Sequence, residues 1–163
     1  MPLIISKESV TSDVARGLIA ARHAELTDLY ADTREADFVD FPTRDLPPQA
    51  GVFLVARLDG QAVGCGSLRR LGDDQGEIKR MYVVPAARQQ GIGRAMLQAL
   101  EAEARTLGIE ALILETGQRQ PEAIALYHSA GFSQCPCWGD YLDSPLAVCL
   151  TKALVEGAIA TGG

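Results

Sequence analysis

Positive charge is in short supply in this sequence. Its 163 residues include 15 lysines and arginines against 21 aspartates and glutamates, which gives a formal net charge of −6. General binding to nucleic acid or to anionic membranes needs a basic excess, so both partner classes are excluded. No stretch approaches the roughly 20 apolar residues that span a bilayer, and the first residues lack the basic segment of a secretory signal. The cytoplasm is therefore the expected location.

Cysteine and histidine are also scarce, with four and two residues. The cysteines are Cys65, Cys135, Cys137 and Cys149, and we expect free thiols that behave as small apolar side chains in a reduced compartment. Cys135 and Cys137 are too close in sequence for a usual zinc pair, and no histidine lies near them. We therefore predict no metal site.

Two common nucleotide-binding motifs are missing. The sequence contains no Gly-Lys-Ser or Gly-Lys-Thr, and Gly93 is followed three positions later by Met96 instead of the last glycine of the dinucleotide motif. Internal repeats and low-complexity linkers are absent as well. A chain of this length suits one domain, so we predict a single domain over residues 1–155 and a frayed tail over residues 156–163.

Strand and helix patterns are both present along the chain. Residues 52–58 and 62–68 flank Asp59-Gly60, which tolerates the positive φ values of a tight turn and predicts an antiparallel hairpin. The polar stretch 31–50 contains several prolines and predicts a long loop or broken helices of the kind that line binding sites. Apolar residues at helical spacing predict helices near residues 12–30, 91–107 and 121–130.

A glycine-containing turn joins a strand pattern to a helix pattern. Arg88-Gln89-Gln90-Gly91-Ile92-Gly93 follows an apolar run that ends at Pro85. The first N–H groups of a helix lack intrahelical partners and carry partial positive charge, which favours phosphate. Gly91 and Gly93 lack side chains that would hold a phosphate away, and Arg88 and Arg94 add full charges. The turn is predicted to bind a polyanion, unless the glycines merely shape a strand-to-helix connection.

The sequence around this turn resembles the GCN5-related N-acetyltransferase (GNAT) superfamily. The pattern Arg-x-x-Gly-x-Gly after E-I-K-R-M-Y-V-V-P resembles the family's acetyl-coenzyme A signature, and P-E-A-I-A-L-Y-H-S-A-G-F resembles its next helix. The resemblance covers about residues 3–153. It implies a mixed α/β (α+β) fold, in which about four helices flank a twisted, mostly antiparallel sheet of six to seven strands. That sheet is expected to be splayed at its centre.

The resemblance also implies an activity, the direct transfer of an acetyl group from acetyl-coenzyme A (acetyl-CoA) to a primary amine of a small molecule or protein. Acetyl-CoA is then a co-substrate, the partner is a small-molecule or peptide amine, and a homodimer is an open alternative. A non-catalytic acyl-CoA sensor or interaction module is the competing reading. The implied coenzyme contacts are Met81, Tyr82, Val83, Arg88, Gln89, Gln90, Gly91, Ile92, Gly93, Arg94 and Gln120. Gln120 departs from the asparagine that is frequent at its position.

Two residues match catalytic positions of the family. Glu77 matches the general base of the histone-acetyltransferase branch, which takes a proton from an amine whose ordinary pKa is about 10.4. Tyr127 matches a tyrosine whose hydroxyl protonates the departing sulfur, which makes it the candidate general acid. The alternatives are a strand glutamate that is either solvated or paired with Lys79 or Arg80, and a tyrosine that packs its helix against the sheet.

Aromatic residues in two loops are candidate acceptor contacts. Phe41 lies in the early loop, and Trp138 and Tyr141 lie between the last two predicted strands. Loop aromatics also often serve only in packing, and that alternative stays open. Arg69 and Arg70 are either contacts for the coenzyme or an anionic acceptor, or solvated charges at a strand end.

Overall fold

The computed structural model describes residues 2–33 and 44–158, so Phe41 lies outside the described residues. The elements in chain order are β1 (Leu3–Lys7), α1 (Asp13–Leu29), β2 (Gly51–Leu58), β3 (Gln61–Leu71), β4 (Gln75–Val83), α2 (Ile92–Thr106), β5 (Ala111–Gly117), α3 (Pro121–Ser129), β6 (Ser133–Gln134) and β7 (Ala147–Ala153). The described ranges thus contain three α-helices, where the resemblance implied about four. None of these helices has the length and apolar character needed to cross a membrane.

Seven strands form one sheet in the order β1-β2-β3-β4-β5-β7-β6. All neighbouring strands run antiparallel except β4 and β5, which are parallel. Parallel neighbours need a crossover connection, and α2 supplies it here. The predicted mixed fold with a mostly antiparallel sheet is therefore confirmed.

The hairpin between β2 and β3 forms where the sequence predicts it. Asp59 and Gly60 have φ values of 51° and 83°, and Leu58 pairs with Gln61 across the turn. Two central residues with positive φ match the right-handed twist of the strands on either side. This turn sets the register of β2 against β3.

Helix ends also follow local signals. The Ser12 hydroxyl accepts a hydrogen bond from the Ala15 N–H at 3.0 Å at the start of α1. Gly108 has a φ of 75° just after α2, where a left-handed residue commonly ends a helix. Pro121 occupies the first turn of α3, where its missing N–H has no cost.

Apolar residues cover both faces of the sheet. On one face, Met96, Leu97 and Leu100 of α2 belong to a buried cluster with Leu68 and Leu112 of the sheet. A second buried cluster joins the start of α1, including Ala15 and Leu18, to Phe53, Val55 and Cys65. Helices therefore pack against both faces of the sheet and form a layered arrangement.

The sheet opens at its centre, between β4 and β5. These strands pair over only four positions, from Gln75 with Ala111 to Ile78 with Leu114. Beyond Ile78, β4 continues to Val83 and pairs with β3. The parallel pairing therefore ends while both strands continue, as expected for two strands that diverge in a splayed sheet.

The structure corrects the expectation of four free thiols. The sulfurs of Cys137 and Cys149 are bonded, whereas Cys65 and Cys135 are free. The prediction was wrong because the short spacing of Cys135 and Cys137 gives no indication of a bonding partner farther along the chain. Gln134 pairs with Leu150, which brings the segment after β6 beside β7. This pairing places Cys137 next to Cys149, although the two cysteines are twelve positions apart in the sequence. The loop that follows Cys137 is consequently tied to β7.

Candidate functional site

The segment of β4 beyond its pairing with β5 contains three of the predicted coenzyme contacts. Met81, Tyr82 and Val83 lie in this segment, and Tyr82 and Val83 pair with Cys65 and Gly64 of β3. The opposite edge of these three residues faces β5 but has no strand pairing with it among the described residues. A strand with one unpaired edge can accept an extended ligand as an added strand.

An irregularity in β3 and β4 marks the point where the sheet opens. The β3–β4 register shifts between Cys65 and Ser67, and Arg80 has a φ of 55°. Positive φ is uncommon for a residue with a side chain, and bulges of this kind bend a strand and redirect its side chains. The bulge lies beside Lys79, the first β4 residue after the pairing with β5 ends.

The predicted phosphate-binding turn connects β4 to α2. Gly91 precedes α2 with a φ of 80°, and a Cβ at this position would meet no atom within 4 Å. A Cβ at Gly93 would lie 3.1 Å from Cδ2 of Leu126 in α3. Gly91 is thus required by backbone conformation, whereas Gly93 permits close packing between α2 and α3. The first N–H groups of α2 begin at this turn.

The two arginines of the turn are anchored to neighbouring helices. Nη2 of Arg88 lies 2.9 and 2.7 Å from the two carboxylate oxygens of Glu25 in α1, and Nε donates to the Val83 carbonyl at 2.9 Å. Arg94 donates to the hydroxyl of Ser129 in α3. Both arginines therefore hold the turn against neighbouring helices. Their contacts with a coenzyme remain predictions.

The other predicted coenzyme contacts differ in exposure. Gln89 and Gln90 are exposed, whereas the Ile92 side chain is buried and only its backbone can face a ligand. Oε1 of Gln120 accepts hydrogen bonds from the Gly117 N–H at 3.1 Å and from the Tyr30 hydroxyl at 3.4 Å. The Gln120 amide thus joins the end of β5 to the residue that follows α1.

A row of polar side chains crosses the sheet beside its opening. Oε1 and Oε2 of Glu77 lie 3.0 Å from Nη2 of Arg69 and 3.3 Å from Nζ of Lys79, and this ammonium donates to the Tyr141 hydroxyl at 3.1 Å. Glu77 is buried, with 2% of its surface exposed. We call Arg69, Glu77, Lys79 and Tyr141 the polar row.

Burial is the dominant influence on two titrating groups of the polar row. Burial lowers the pKa of Lys79 to about 8, although the nearby Glu77 carboxylate acts in the opposite direction. Burial also raises the pKa of the Tyr141 phenol, and the charges of Glu115 and Glu77 raise it further. A lysine with this pKa is partly neutral just above neutral pH, which is unusual for an ammonium group.

The partners of Glu77 were only partly foreseen. The contact with Lys79, one of the predicted alternatives, is present. The solvated alternative is wrong, because only 2% of the Glu77 surface is exposed. The contact with Arg69 was not predicted. Arg69 and Glu77 face each other in the β3–β4 register because they lie at equal distances from the turn around Asp73. That symmetry about the turn is the signal in the sequence that could have indicated the pair.

Tyr127 lies in α3 and is almost fully buried. Its ring contacts that of Phe132 edge to face, with 5.8 Å between the centroids. Burial raises the pKa of Tyr127 to about 12, so its hydroxyl stays protonated near neutral pH. The position thus combines aromatic packing with a protonated hydroxyl that can donate a hydrogen bond.

The two aromatic residues of the last loop lie together. The rings of Trp138 and Tyr141 meet edge to face with a centroid distance of 5.7 Å, and Lys79 Nζ is 5.7 Å from the Tyr141 centroid. Trp138 therefore lies beside the polar row, to which Tyr141 belongs. The role of Tyr141 in acceptor binding, and that of Trp138, stay predictions.

A cavity of about 630 Å³ opens beside the polar row. Ser67, Arg69, Lys79 and Arg80 contribute its lining from β3 and β4, and the segment 44–49 contributes another side. We call this space the β3–β4 cavity. It places charged side chains next to the opening of the sheet.

Three comparisons indicate what this chain is similar to. A family model described as the acetyltransferase (GNAT) family matches residues 18–132. A relative from Azospirillum brasilense, named IAA acetyltransferase, is 40% identical over 151 residues, which cover 92% of this chain and 97% of the relative. A crystal structure from Klebsiella pneumoniae subsp. pneumoniae, named for an acyl-CoA N-acyltransferase, is 34% identical with a TM-score of 0.79, covering 94% of this chain and 98% of that chain.

A more distant structure has the same fold. It is a GNAT family acetyltransferase from Elizabethkingia anophelis with acetyl-CoA bound. Its identity to this chain is 20%, its TM-score is 0.66, and the match covers 93% of this chain and 98% of that chain. At this identity the likeness concerns the fold alone.

Proposed function

Because this chain belongs to the acetyltransferase (GNAT) family and is therefore an acyltransferase enzyme, we propose that it transfers the acetyl group of acetyl-CoA directly to a primary amine of a small molecule or peptide. The matched region, residues 18–132, includes β4, the turn before α2, and Tyr127. A non-catalytic acyl-CoA sensor is the competing function. It would bind the coenzyme without acceptor-dependent turnover.

The observation that carries the proposal is the unpaired edge of β4, followed after residues 84–91 by the N-terminus of α2. Met81, Tyr82 and Val83 offer backbone groups along an extended ligand, and the turn at Gly91 presents helix N–H groups to a diphosphate. An acetyl-CoA molecule has both parts, an extended pantetheine arm and a diphosphate. The bound acetyl-CoA of the Elizabethkingia anophelis structure supports the same choice of co-substrate.

Acetyl transfer makes three demands on the protein. The amine must lose a proton, negative charge on the carbonyl oxygen must be stabilised, and the departing thiolate must receive a hydrogen bond or a proton. We assign proton acceptance to Glu77, stabilisation of the oxygen to an N–H group of Met81–Val83, and the hydroxyl donor to Tyr127. Holding both substrates together contributes as well, since effective molarities reach on the order of 10⁵ M.

The proposal is tested by two measurements on the same protein. Calorimetric titration with acetyl-CoA measures binding, and release of coenzyme A thiol across a panel of amines measures turnover. We expect saturable binding together with thiol release that depends on the amine. Saturable binding without such release would identify a sensor, and an absence of saturable binding would contradict the assignment of the coenzyme site.

A matched pair of variants tests the position of the diphosphate. Gln90 and Gln98 are both exposed, and Gln90 lies in the turn while Gln98 lies two turns along α2. Gln90→Glu adds a negative charge at the phosphate-binding turn and is expected to weaken acetyl-CoA binding about tenfold. Gln98→Glu adds the same charge elsewhere and is expected to leave the Kd unchanged. Equal effects of both variants would place the diphosphate away from this turn.

A further inference from the structure

The last N–H group of β5 points into the opening of the sheet. The Gln118 N–H continues the pairing with β7 and donates to the Leu146 carbonyl at 2.9 Å. Successive N–H groups of an extended chain point to opposite edges, so the N–H of Gly117 points to the edge that faces β4. Among the described residues the parallel pairing with β4 ends at Leu114, so no strand reaches this N–H.

The side chain of Gln120 satisfies that N–H group from inside the opening. Its Oε1 accepts the Gly117 N–H at 3.1 Å. An N–H can donate only to the oxygen of an amide, so this contact fixes which end of the Gln120 side chain is Oε1 and which is Nε2. Nε2 makes no hydrogen bond within the described part of the chain and is not one of its buried polar atoms without a partner. A ligand in the opening can therefore reach the NH₂ group.

Tyr30, the residue that follows α1, holds this amide in place. Its hydroxyl donates to Oε1 of Gln120 at 3.4 Å and accepts the Arg119 N–H at 3.2 Å. The ring is buried, and a Cβ at position 117 would lie 1.7 Å from the hydroxyl oxygen. Residue 117 must therefore be glycine for the ring to approach this closely. The hydroxyl of Tyr30 thus contacts both ends of the turn 117–120.

Other contacts fix the end of α1 against the same turn. The Tyr30 N–H donates to the Leu26 carbonyl at 3.0 Å. Nη1 of Arg119 donates to the Leu29 carbonyl at 3.0 Å and pairs with the Asp32 carboxylate at 2.5 Å. The Arg119 guanidinium also lies 5.6 Å from the centroid of the Tyr30 ring. The hydroxyl that meets Gln120 is therefore held on both sides by bonds that do not involve Gln120.

We propose that Tyr30 is a positioning residue for the coenzyme, which holds the Gln120 carbonyl so that the amide NH₂ donates to a carbonyl oxygen of the pantetheine arm. This inference rests on the proposed acetyl transfer, in which the arm lies along Met81–Val83 and Gln120 contacts the coenzyme. It adds a residue that acts only through Gln120. Two protein donors occupy Oε1, so Gln120 offers a ligand its N–H donors, and the amide carbonyls of pantetheine are matching acceptors.

Calorimetric titration with two ligands tests this role. Coenzyme A has the pantetheine arm, whereas 3′-phospho-ADP has the same nucleotide and diphosphate without the arm. Tyr30→Phe keeps the buried ring and removes the hydroxyl. We expect this variant to bind coenzyme A about threefold to tenfold more weakly and to bind 3′-phospho-ADP with an unchanged Kd. In turnover assays the KM of acetyl-CoA is expected to rise by a similar factor, while kcat changes little.

A double-mutant cycle tests whether Tyr30 acts through Gln120. Gln120→Met removes the amide and keeps an unbranched side chain, and it is expected to weaken coenzyme A binding at least as much as Tyr30→Phe. Adding Tyr30→Phe to Gln120→Met is expected to cause no further loss, because the group that Tyr30 positions is already absent. Gln118→Met, on the β7 side of the same turn, is the matched control and is expected to leave both Kd values unchanged.

Three results would overturn the positioning role. They are equal weakening of both ligands in Tyr30→Phe, additive losses in the double variant, and an unchanged Kd of coenzyme A in Gln120→Met. The last result decides even if Tyr30→Phe does not fold, because Gln120→Met keeps Tyr30. Each of them leaves acetyl transfer intact when the native protein binds coenzyme A and releases thiol. A native protein that does not bind coenzyme A would instead contradict the proposed function itself.

Discussion

Glu77 is the residue on which proton acceptance depends in the proposed reaction. It is 2% exposed, and an ion pair occupies each of its carboxylate oxygens. A carboxylate has about four lone-pair positions, so one cation on each oxygen leaves capacity to accept a proton. The two ion pairs therefore leave lone pairs that can accept a hydrogen bond from the amine, and the base role remains a prediction.

Glu77→Gln separates these two roles. The change removes the negative charge that accepts the proton, while it keeps the size of the side chain and its hydrogen-bonding carbonyl. We expect kcat/KM to fall by about 10²-fold or more and its dependence on pH to change shape. Thiol release measured from pH 6 to pH 9.5 tests this prediction.

The control for this prediction is a carboxylate away from the polar row. Glu110 is exposed and precedes β5 at the end remote from the opening of the sheet. Glu110→Gln is expected to retain the native pH profile. A native profile in Glu77→Gln, or the same change of profile in Glu110→Gln, would contradict the assignment of the base.

Tyr127→Phe tests the hydroxyl donor. The change retains the edge-to-face contact with Phe132 and removes only the hydroxyl, whose pKa of about 12 keeps it protonated through the working pH range. We expect kcat to fall about 10- to 100-fold while the KM of the amine changes little. Steady-state kinetics with one amine and acetyl-CoA provide the measurement. Full turnover in the variant, with an unchanged melting temperature, would indicate that Tyr127 serves only in packing.

The loop between β6 and β7 carries the predicted acceptor contacts Trp138 and Tyr141 and is covalently tied to the sheet. The Cys137–Cys149 disulfide spans twelve residues, and a closed loop of this length is expected to add about 3 kcal/mol of stability through the unfolded state. Cys135 is free and its N–H donates to the Cys149 carbonyl at 2.9 Å. The tether therefore restrains the segment that brings Tyr141 to Lys79.

Thiol counting tests the disulfide. Denatured, unreduced protein is expected to react with two equivalents of a thiol reagent, from Cys65 and Cys135, and reduced protein with four. Adding Cys137→Ser to a Cys135→Ser background is expected to lower the free energy of unfolding in urea by about 3 kcal/mol. Four reactive thiols without reduction would contradict the disulfide.

One sheet connects every described strand of the chain. All seven strands belong to it, and α2 covers one face while the start of α1 covers the other. We propose that residues 1–155 fold as one domain. Cooperative unfolding is the expected consequence, because no strand retains its pairing when its neighbours separate.

Unfolding in urea is expected to give one transition that coincides for far-ultraviolet circular dichroism and for fluorescence of Trp138. The first signal reports on secondary structure throughout the chain, and the second reports on the loop between β6 and β7. Coincident midpoints would agree with a single cooperative unit. Separate midpoints would show that the loop region unfolds independently of the sheet.

Several elements follow from short stretches of sequence. Asp59-Gly60 predicts its hairpin because both residues tolerate positive φ, and Pro121 marks the start of α3 because proline suits the first helical turn. The turn before α2 was located in the same way. Each of these signals depends on neighbours in the chain, so no tertiary information is needed.

Family membership also follows from the sequence, since it rests on residue types at set spacings within residues 18–132. The partners of those residues depend on the tertiary structure. Arg69 meets Glu77 through the β3–β4 register, Lys79 meets Tyr141 across 62 positions, and Cys137 meets Cys149 through the pairing of β6 with β7. Local patterns specify which strands and helices form, whereas strand register and packing between distant segments determine which side chains meet in the site.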